Sequence, residues 1–342
     1  SDCLVGSEMC IRDSQETDMI GVSRPIVKHS FTVDKQENIA NIVAEAFHIA
    51  TSGRQGPVLI DVPKDLTNPD DLFDFVYPDK VHIRSYNPPT KPENHQVSRA
   101  VDAILASERP VIYAGGGTIS SNASKELREL NDLIDAPVTN TLMGLGVFPG
   151  THKRFLGMLG MHGTYQANMA MHNADLIIAL GARFDDRITN APDKFAPRAK
   201  VIHFDVDHSS VSKIIEADIA VFGQIKDSLQ AINNHLKTKI DEIDNEKLAP
   251  WHQQISDWKE KHGLNHDLYK IEDDSGPILP QAAVQHIYQE SQGKAFVTSD
   301  VGQHQMFAAQ YYHFDEPRKW INSGGLGTMG FGLPSAMGVK LA

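Results

Sequence analysis

The chain has 342 residues, of which 41% are hydrophobic and 22% charged, and its formal net charge is −12. This composition allows large hydrophobic cores and argues against extensive disorder, while the acidic balance argues against nucleic-acid and anionic-membrane surfaces. Cys3 and Cys10 form neither a metal pattern nor a disulfide framework, so we expect a reducing, cytoplasmic compartment. No apolar run has the length of a membrane span.

The first part of the chain predicts one helix followed by one strand. Apolar residues from Ile39 to Ala50 recur at helical spacing, with Asp34 as the expected N-cap and Phe47 on the buried face. The apolar run 57–62 then predicts a buried strand. One such pair cannot cover both faces of its strand, so we expect it to be the tail of a larger α/β domain.

Strand and helix patterns alternate regularly in the middle of the chain. Predicted helices lie at 94–107, 122–134, 165–172 and 224–236, and predicted strands at 110–114, 137–141, 175–180 and 200–204. This alternation predicts a parallel sheet covered by helices on both faces. A charged stretch with a helix marked by Trp251 follows, and a second α/β pattern begins at Gly276.

The predicted fold class is therefore α/β, with a complete, doubly wound, Rossmann-like central domain between two partial domains. The predicted segments are a leader foreign to the rest (1–14), the tail of a first domain (15–76), a proline-rich linker (77–92), the central domain (93–236), a connector (237–275) and the start of a third domain (276–342).

Gly157–Arg187 organises the central domain, because it joins a glycine-rich loop, a short helix and a buried strand that ends at Gly181. Two arginines, Arg183 and Arg187, are crowded just after that strand and suit a phosphate-bearing ligand, although a surface loop with self-paired Asp and Arg is the alternative. Gly115–Gly117 stands between a strand and a helix, as phosphate loops do. It lacks the full G-x-G-x-x-G spacing, so a tight turn that requires positive φ is an equal alternative.

Two further loops, 300–306 and 323–330, each follow a predicted strand and open a helix. Neighbouring loops of this kind form one crevice, in which backbone N–H groups can hold a diphosphate. The bulky Leu326 and Met329 argue against a merely flexible loop. His162 and His172 have no acidic partner at ligand spacing, so no metal site is predicted there.

Six motifs together resemble one enzyme family, in the family's order. They are SGRQGPVLIDVPKD, TLMGLGVFPGTH, GMLGMHGTYQANMAMHNAD, GARFDDR, TSDVGQHQMFAAQ and WINSGGLGTMGFGLPSAMG. From Gln15 to Ala342 the chain resembles the large catalytic subunits of acetolactate synthases (acetohydroxyacid synthases), which depend on thiamine diphosphate. The resemblance implies three α/β domains that bind, in order, the thiamine pyrimidine, FAD and the thiamine diphosphate group.

The resemblance also implies an activity and partners. The family decarboxylates pyruvate on thiamine diphosphate and joins the two-carbon unit to pyruvate or 2-oxobutyrate, giving 2-acetolactate or 2-aceto-2-hydroxybutyrate for branched-chain amino acid synthesis. FAD is structural in this family, and the full-length enzymes are homodimers or homotetramers that can bind a regulatory small subunit. The family's activating glutamate and Mg²⁺ ligands would lie beyond this chain, which we therefore expect to be inactive alone. A glyoxylate-type carboligase and a non-catalytic flavin-binding module are the alternatives.

Site residues carry over from the family position by position. Gln15 and Lys64 would lie near the reaction site and its entry, and Met329 would be the apolar wedge that bends the thiamine cofactor. The residues expected to contact FAD are Arg54, Gly115, Gly116, Gly117, Thr141, Leu142, Met161, His162, Gly181, Arg183, Asp185, Arg187, Asp205 and Val206. Those expected to contact thiamine diphosphate are Val301, Gly302, Gln303, His304, Gly327 and Met329.

Overall fold

The computed structural model describes residues 17–68, 70, 72–270 and 276–342, which form one compact unit up to Pro89 and a second from Thr90 onward. The expected leader, 1–14, and Gln15 lie outside the described residues. Within the described ranges no helix is both long enough and apolar enough to cross a membrane.

The first unit contains a two-stranded parallel sheet and one long helix. Its elements are α1 (Met19–Ser23), β1 (His29–Thr32), a 3₁₀ turn (Gln36–Asn38), α2 (Ile39–Thr51), β2 (Val58–Asp61) and a second 3₁₀ turn (Lys64–Thr67). His29 of β1 lies opposite Val58 of β2. The predicted helix and strand are thus confirmed.

Two details of the predicted helix are wrong. Asp34 does not cap it, because a 3₁₀ turn precedes α2 and the Asp34 carboxylate accepts a hydrogen bond (2.7 Å) from the Asn38 side chain. Phe47 is 65% exposed, whereas Ala40, Ala44 and Ile49 are buried. The buried face of the helix is therefore narrower, and made of smaller residues, than the spacing of its apolar residues predicts.

The second unit is built on a six-stranded sheet. Its strands are β3 (Pro110–Ala114), β4 (Val138–Asn140), β5 (Phe155–Met158), β6 (Leu176–Leu180), β7 (Lys200–Asp205) and β8 (Ile219–Phe222). The helices around it are α3 (Asn94–Ala106), α4 (Gly116–Ser120), α5 (Ser124–Ile134), α6 (Tyr165–Asn173), α7 (Asp186–Thr189), α8 (Ile225–Thr238) and α9 (Ala249–His262). Single 3₁₀ turns lie at Leu142–Gly144, Pro192–Lys194, Ile240–Glu242, Glu246–Leu248 and Leu268–Lys270.

The strand order is β5-β4-β3-β6-β7-β8, and every pairing is parallel. The chain runs outward in one direction from β3 and in the other from β6, so these two central strands mark the point where the winding reverses. This is a doubly wound α/β sheet, as predicted. In such sheets, ligands bind in the crevice beyond the carboxyl ends of the strands at the reversal point.

Both faces of the sheet are covered. Every residue of β3 and β6 is buried, and alternate side chains enter two separate cores. Helices α3, α5 and α8 pack on one face, and α6 and α9 on the other. Trp251 of α9 is buried in the second core, and its indole N–H donates to the Pro110 carbonyl at 3.2 Å.

The amino ends of β3 and β6 are tied together by one carboxylate. Asp175, just before β6, accepts hydrogen bonds from the Glu108 N–H (2.8 Å), the Arg109 N–H (3.0 Å) and the Ser107 hydroxyl. A charged acceptor strengthens such hydrogen bonds, so the Asp175 side chain holds the amino ends of the two central strands together.

A smaller lobe follows within the second unit. It contains α10 (Pro280–Ser291), β9 (Val297–Ser299), α11 (Gln303–Tyr311), β10 (Trp320–Asn322) and α12 (Gly332–Leu341). Strands β9 and β10 are parallel, with Asn322 opposite Ser299. Phe314 and Trp320 pack in a core with Leu145 and Met158, so the lobe docks beside the β4–β5 edge of the large sheet.

Three features of the second unit differ from the sequence prediction. Strands β5 and β8 were not predicted; β5 contains Gly157, which takes φ +91° beside a register shift in the β4–β5 pairing. Glycine inside a strand masks the strand pattern and permits such an irregularity. The predicted helix 122–134 begins only at Ser124, because Asn122 takes a left-handed φ of +53° and separates α4 from α5.

Candidate cofactor site

The triple-glycine loop lies at the reversal point of the sheet, in contact with the loop after β6. The Gly115 N–H donates to the Leu180 carbonyl at 2.9 Å, and the Gly117 N–H to the Gly181 carbonyl at 3.1 Å. A Cβ on Gly117 would stand 2.8 Å from the Gly181 Cα, and one on Gly115 would stand 2.9 Å from the Ala182 Cα. None of the three glycines has positive φ. The tight-turn alternative is therefore wrong, and these glycines permit two strand-end loops to touch.

Gly181 itself takes φ +55°, and a Cβ there would lie 2.7 Å from the Gly117 Cα. The β6 loop then turns on Phe184, which is almost fully buried and also has a positive φ, +55°. Its ring contacts His203 and Phe195 edge-on, with centroid distances of 5.3 and 5.9 Å. A bulky residue in this conformation is uncommon and is held only by surrounding structure. Burial of Phe184 directs its two neighbours in sequence outward.

Those neighbours, Arg183 and Asp185, form an ion pair of 2.8 Å, with side chains 52% and 53% exposed. The alternative predicted for this loop, in which its own Asp and Arg pair with each other, is therefore the contact that the structure contains. The guanidinium nonetheless remains half in solvent at the end of β6, where it can also meet an anion. Arg187 is exposed, and its carbonyl accepts a hydrogen bond from the Met161 N–H at 2.9 Å.

That last bond brings the loop after β5 to the loop after β6. Gly160 has φ +101°, and a Cβ there would lie 2.6 Å from the Arg187 carbonyl oxygen. Met161 is 62% exposed, and the His162 carbonyl accepts a hydrogen bond (2.8 Å) from the Gln310 side chain of α11. The two ends of the organising stretch therefore meet at the same edge of the sheet.

Thr141 and Leu142 follow β4 at this edge. The Thr141 N–H donates to the Ala114 carbonyl at 3.0 Å, while its buried hydroxyl has no hydrogen-bond partner in the part of the chain that the structure describes. An unpartnered buried hydroxyl is costly, so it is a ready contact for a polar ligand atom. Leu142 begins a 3₁₀ turn that ends at Gly144.

Asp205 and Val206 end β7. One Asp205 oxygen accepts a hydrogen bond from the Asp207 N–H at 2.9 Å, as in a turn that follows a strand. The other lies 3.8 Å from His203 Nε2. Burial raises the pKa of the Asp205 carboxyl and lowers the pKa of His203. The backbone N–H groups of Val206 and Asp207 both stabilise this carboxylate, and its half-satisfied oxygen lies at the end of β7, where a ligand hydroxyl could also donate to it.

The loops after β9 and β10 also adjoin. Gly302, with φ +150°, is the N-cap of α11, and a Cβ on Gly327 (φ +70°) would be 3.8 Å from both methyls of Val301. The buried Gln305 amide donates to the Asn322 side chain at 3.2 Å, which links the two loops at their base. Exposed side chains in this pair of loops include Gln303, His304, Leu326 and Met329, the last two at 95% and 81%.

The roles predicted for the remaining residues stay predictions. Arg54 and Lys64 are exposed side chains of the first unit, and Gln15 lies outside the described residues. Across the described ranges no three His, Cys, Asp or Glu side chains converge as a metal site. For the second unit, too, contact of the named residues with a cofactor stays a prediction.

Sequence reasoning did not single out Phe184 or the Gln305–Asn322 pair. Met143 is one of five methionines (143, 158, 161, 169 and 171) whose density beside glycine loops favours a binding surface over core filler only modestly, and the structure leaves it 46% exposed. Phe184 could have been found as the one apolar residue inside the charged run Arg183–Arg187. Gln305 and Asn322 carry no local signal, because their hydrogen bond depends on the pairing of β9 with β10.

Comparison with known proteins gives two family matches. Residues 97–232 match the central domain of thiamine pyrophosphate enzymes, and residues 300–342 match their C-terminal thiamine-pyrophosphate-binding domain. The first match covers the six-stranded sheet, and the second covers the paired loops after β9 and β10.

Individual relatives are similar over nearly the whole chain. The chain is 53% identical over 328 residues to the acetolactate synthase large subunit of Buchnera aphidicola subsp. Schlechtendalia chinensis, covering 96% of this chain and 56% of that protein. It is 49% identical over the same length to the acetolactate synthase isozyme 3 large subunit of Escherichia coli K12, with the same coverage of 96% and 56%. The large subunit from Haemophilus influenzae is 48% identical over 344 residues, which is 99% of this chain and 57% of that protein.

The chain thus spans just over half the length of these relatives. Its motifs, its doubly wound sheet and its two pairs of glycine loops agree with the comparisons. The chain belongs to the thiamine pyrophosphate enzyme family and, within that family, is homologous to the acetolactate synthase large subunits.

Proposed function

We propose that this chain provides the flavin-binding and part of the thiamine-diphosphate-binding machinery of an acetolactate synthase large subunit. The enzyme would take pyruvate as donor and pyruvate or 2-oxobutyrate as acceptor. The observation that carries the proposal concerns two pairs of glycine-containing loops, each loop following a strand. The first pair, after β3 and β6, lies at the reversal point of the large sheet, and the second pair, after β9 and β10, lies next to it in the same unit.

The first pair of loops fits FAD. Candidate residues follow each of the strands from β5 through β4, β3 and β6 to β7, so an extended dinucleotide can lie across the strand ends. The triple glycine and Gly181 leave backbone free of side chains there, Arg183 offers a half-exposed guanidinium to the diphosphate, and Asp205 offers an oxygen to ribose. In this proposal the flavin is structural.

The second pair of loops fits thiamine diphosphate. Gly325 and Gly330 face open space, since a Cβ on either would have no atom within 4 Å, and the first turn of α11 presents free backbone N–H groups. Thiamine diphosphate, when bound, supplies the nucleophilic carbon and the electron sink for loss of CO₂ from a 2-keto acid.

This chain's own residues would position the reactants and exclude water. Met329 and Leu326 are exposed apolar side chains on the 323–330 loop, at 81% and 95%. Packed on a cofactor, they would remove water from the carboxylate that is lost, which favours a neutral product over a charged reactant. Lys64 would lie at the entry of the anionic substrate. The described residues do not fit a Mg²⁺ site, so we assign the ion to none of them.

Flavin titration tests the first half of the proposal. We expect the purified chain to bind FAD and Arg183→Ala to bind it about 10-fold more weakly, since a charge-assisted contact is lost. Arg198→Ala is the matched control, because Arg198 is also exposed and hydrogen-bonded but to Asn173, at 2.8 Å. Absence of FAD binding by the wild-type chain would refute the flavin assignment.

Complementation tests the activity. A full-length gene that contains this sequence should allow a strain without acetolactate synthase to grow without branched-chain amino acids, whereas the 342-residue chain alone should not. Extracts of that strain should form acetolactate from pyruvate in preference to condensing glyoxylate. Turnover of glyoxylate alone would support the rival carboligase, and flavin binding without any turnover would support the non-catalytic module. A regulatory subunit, a homo-oligomeric state and a cytoplasmic location belong to the proposal and are not needed for these tests.

A further inference from the structure

Met143 stands between the two pairs of loops. It is the middle residue of the 3₁₀ turn Leu142–Gly144 after β4, and it is 46% exposed. The turn is seated firmly on the end of β3, because the Gly144 N–H donates to the Thr141 carbonyl at 2.9 Å and a Cβ on Gly144 would lie 2.5 Å from the Ala114 carbonyl oxygen.

The base of the Met143 side chain touches the triple-glycine loop. A Cβ on Gly116 would be 3.2 Å from the Met143 Cβ and 3.5 Å from its carbonyl oxygen. The turn and the triple-glycine loop therefore lie within about one methyl group of van der Waals contact, and a side chain on Gly116 would press on Met143.

The tip of the same side chain touches the smaller lobe. A Cβ on Gly324 would be 2.7 Å from the Met143 sulfur and 3.1 Å from a Leu142 methyl. Beyond Gly324 the loop has few supports: the Gly327 N–H donates to the Ser323 carbonyl at 2.7 Å, and Gly325 has no neighbour within 4 Å of a Cβ position. The Met143 thioether is thus one of the contacts that limit where this loop can go.

We propose that Met143 is a positioning residue that couples the two sites: a ligand on the triple-glycine loop orders the 323–330 loop through the Met143 side chain. The inference rests on the proposed function, because it takes FAD as the ligand of the first site. FAD would fix Gly116 and the turn beneath it, which holds the thioether against Gly324. By linkage, order in the 323–330 loop favours FAD binding by the same factor.

Hydrogen exchange with and without FAD tests the coupling in the purified chain. In the wild type, FAD should slow exchange at residues 115–118 and, about 5-fold or more, at residues 323–330. In Met143→Ala, the first protection should remain and the second should be lost. Met337→Ala is the control: it is the same substitution at an exposed methionine of the same lobe, and it should behave as the wild type.

A double-mutant cycle on FAD affinity provides a second measurement. Gly324→Ala places a methyl against the Met143 sulfur, so it should weaken FAD binding several-fold although Gly324 lies in the other lobe. In a Met143→Ala background the same substitution should have a smaller effect on FAD affinity, because the contact with the sulfur is gone. The clashes with the Asn322 side chain (2.5 Å) and a Leu142 methyl (3.1 Å) are present in both backgrounds and cancel in the coupling energy of the cycle.

The outcomes separate the two proposals. Protection at 115–118 without protection at 323–330 in the wild type overturns the coupling and leaves the flavin site intact. Protection at 323–330 that persists in Met143→Ala, or an effect of Gly324→Ala that is equal in both backgrounds, overturns the role of Met143. Absence of protection at both loops overturns the flavin assignment and the coupling with it.

Discussion

Gly181→Ala is the substitution whose cost the structure defines best. Gly181 combines two constraints: its φ of +55° disfavours any side chain, and its Cβ position is 2.7 Å from the Gly117 Cα and 2.9 Å from the Thr118 nitrogen. The left-handed conformation costs about 1–2 kcal/mol, and forcing packed backbone apart costs about 1–3 kcal/mol. We therefore expect the free energy of unfolding to fall by about 2–5 kcal/mol.

Two other glycines separate these contributions. Gly115→Ala introduces a clash without the strain, because Gly115 has φ −107° and its Cβ position is 2.3 Å from the Gly181 carbonyl oxygen and 2.9 Å from the Ala182 Cα. Gly330→Ala introduces the strain without the clash, since Gly330 has φ +80° and no described atom lies within 4 Å of a Cβ. Gly330→Ala should therefore cost less than Gly181→Ala, and Gly115→Ala measures the cost of the clash between the two loops alone.

Urea unfolding monitored by tryptophan fluorescence measures all three variants. The m-value should stay constant, which would show that the exposed surface on unfolding is unchanged and only stability differs. If Gly181→Ala costs no more than Gly330→Ala, the close approach of the two strand-end loops contributes nothing, and our account of the glycines is refuted.

Three further predictions follow from the same contacts. Arg183→Ala should change the free energy of unfolding by less than about 1 kcal/mol, because the Arg183–Asp185 pair is half-exposed, so a larger loss in urea unfolding would mean that the pair is structural. Phe184→Ala should cost about 3–5 kcal/mol, since a buried ring in contact with three aromatic neighbours is removed; a loss near 1 kcal/mol would contradict the anchoring role. Burial and the neighbouring His313 lower the pKa of His266 to about 4. The unfolded chain therefore binds more protons as the pH falls from about 6.5 to about 4, so stability should drop in that window, and His266→Gln should flatten the drop in pH-dependent thermal unfolding.

The central strands were predictable because their burial is visible in their own amino-acid sequence. Strands β3 and β6 are buried on both faces, so they read as continuous apolar runs, and the charged and glycine residues that follow them mark their ends. Strand β5, in contrast, is short, lies at the sheet edge and contains Gly157, and β8 is an edge strand of four residues. Such segments are defined by the neighbour that they pair with, which a local pattern does not contain.

In the candidate site, too, some features could be predicted from sequence and others could not. Loops at strand ends, glycines and arginines could be placed from sequence, because parallel strands bring their carboxyl ends to one edge. The bond from Gln305 to Asn322 depends on the pairing of β9 with β10, and the place of Met143 between Gly116 and Gly324 depends on how the smaller lobe docks on the large sheet. The reason for the triple glycine was also beyond the sequence, since it lies in a second loop more than sixty residues away.

The carboxylate bridge of Asp175 has a consequence for motion. It fastens one end of the central strand pair through three donors to one carboxylate, whereas the other end is joined by backbone bonds and by the Thr118 hydroxyl, which donates to the Leu180 carbonyl at 2.8 Å. Bonds between neutral groups are weaker than bonds to a carboxylate, so opening of the β3–β6 pair should be concentrated at the glycine end. A ligand that binds at the glycine end therefore orders only a few loops, because the rest of the sheet is already rigid, and the loss of conformational entropy on binding is confined to those loops.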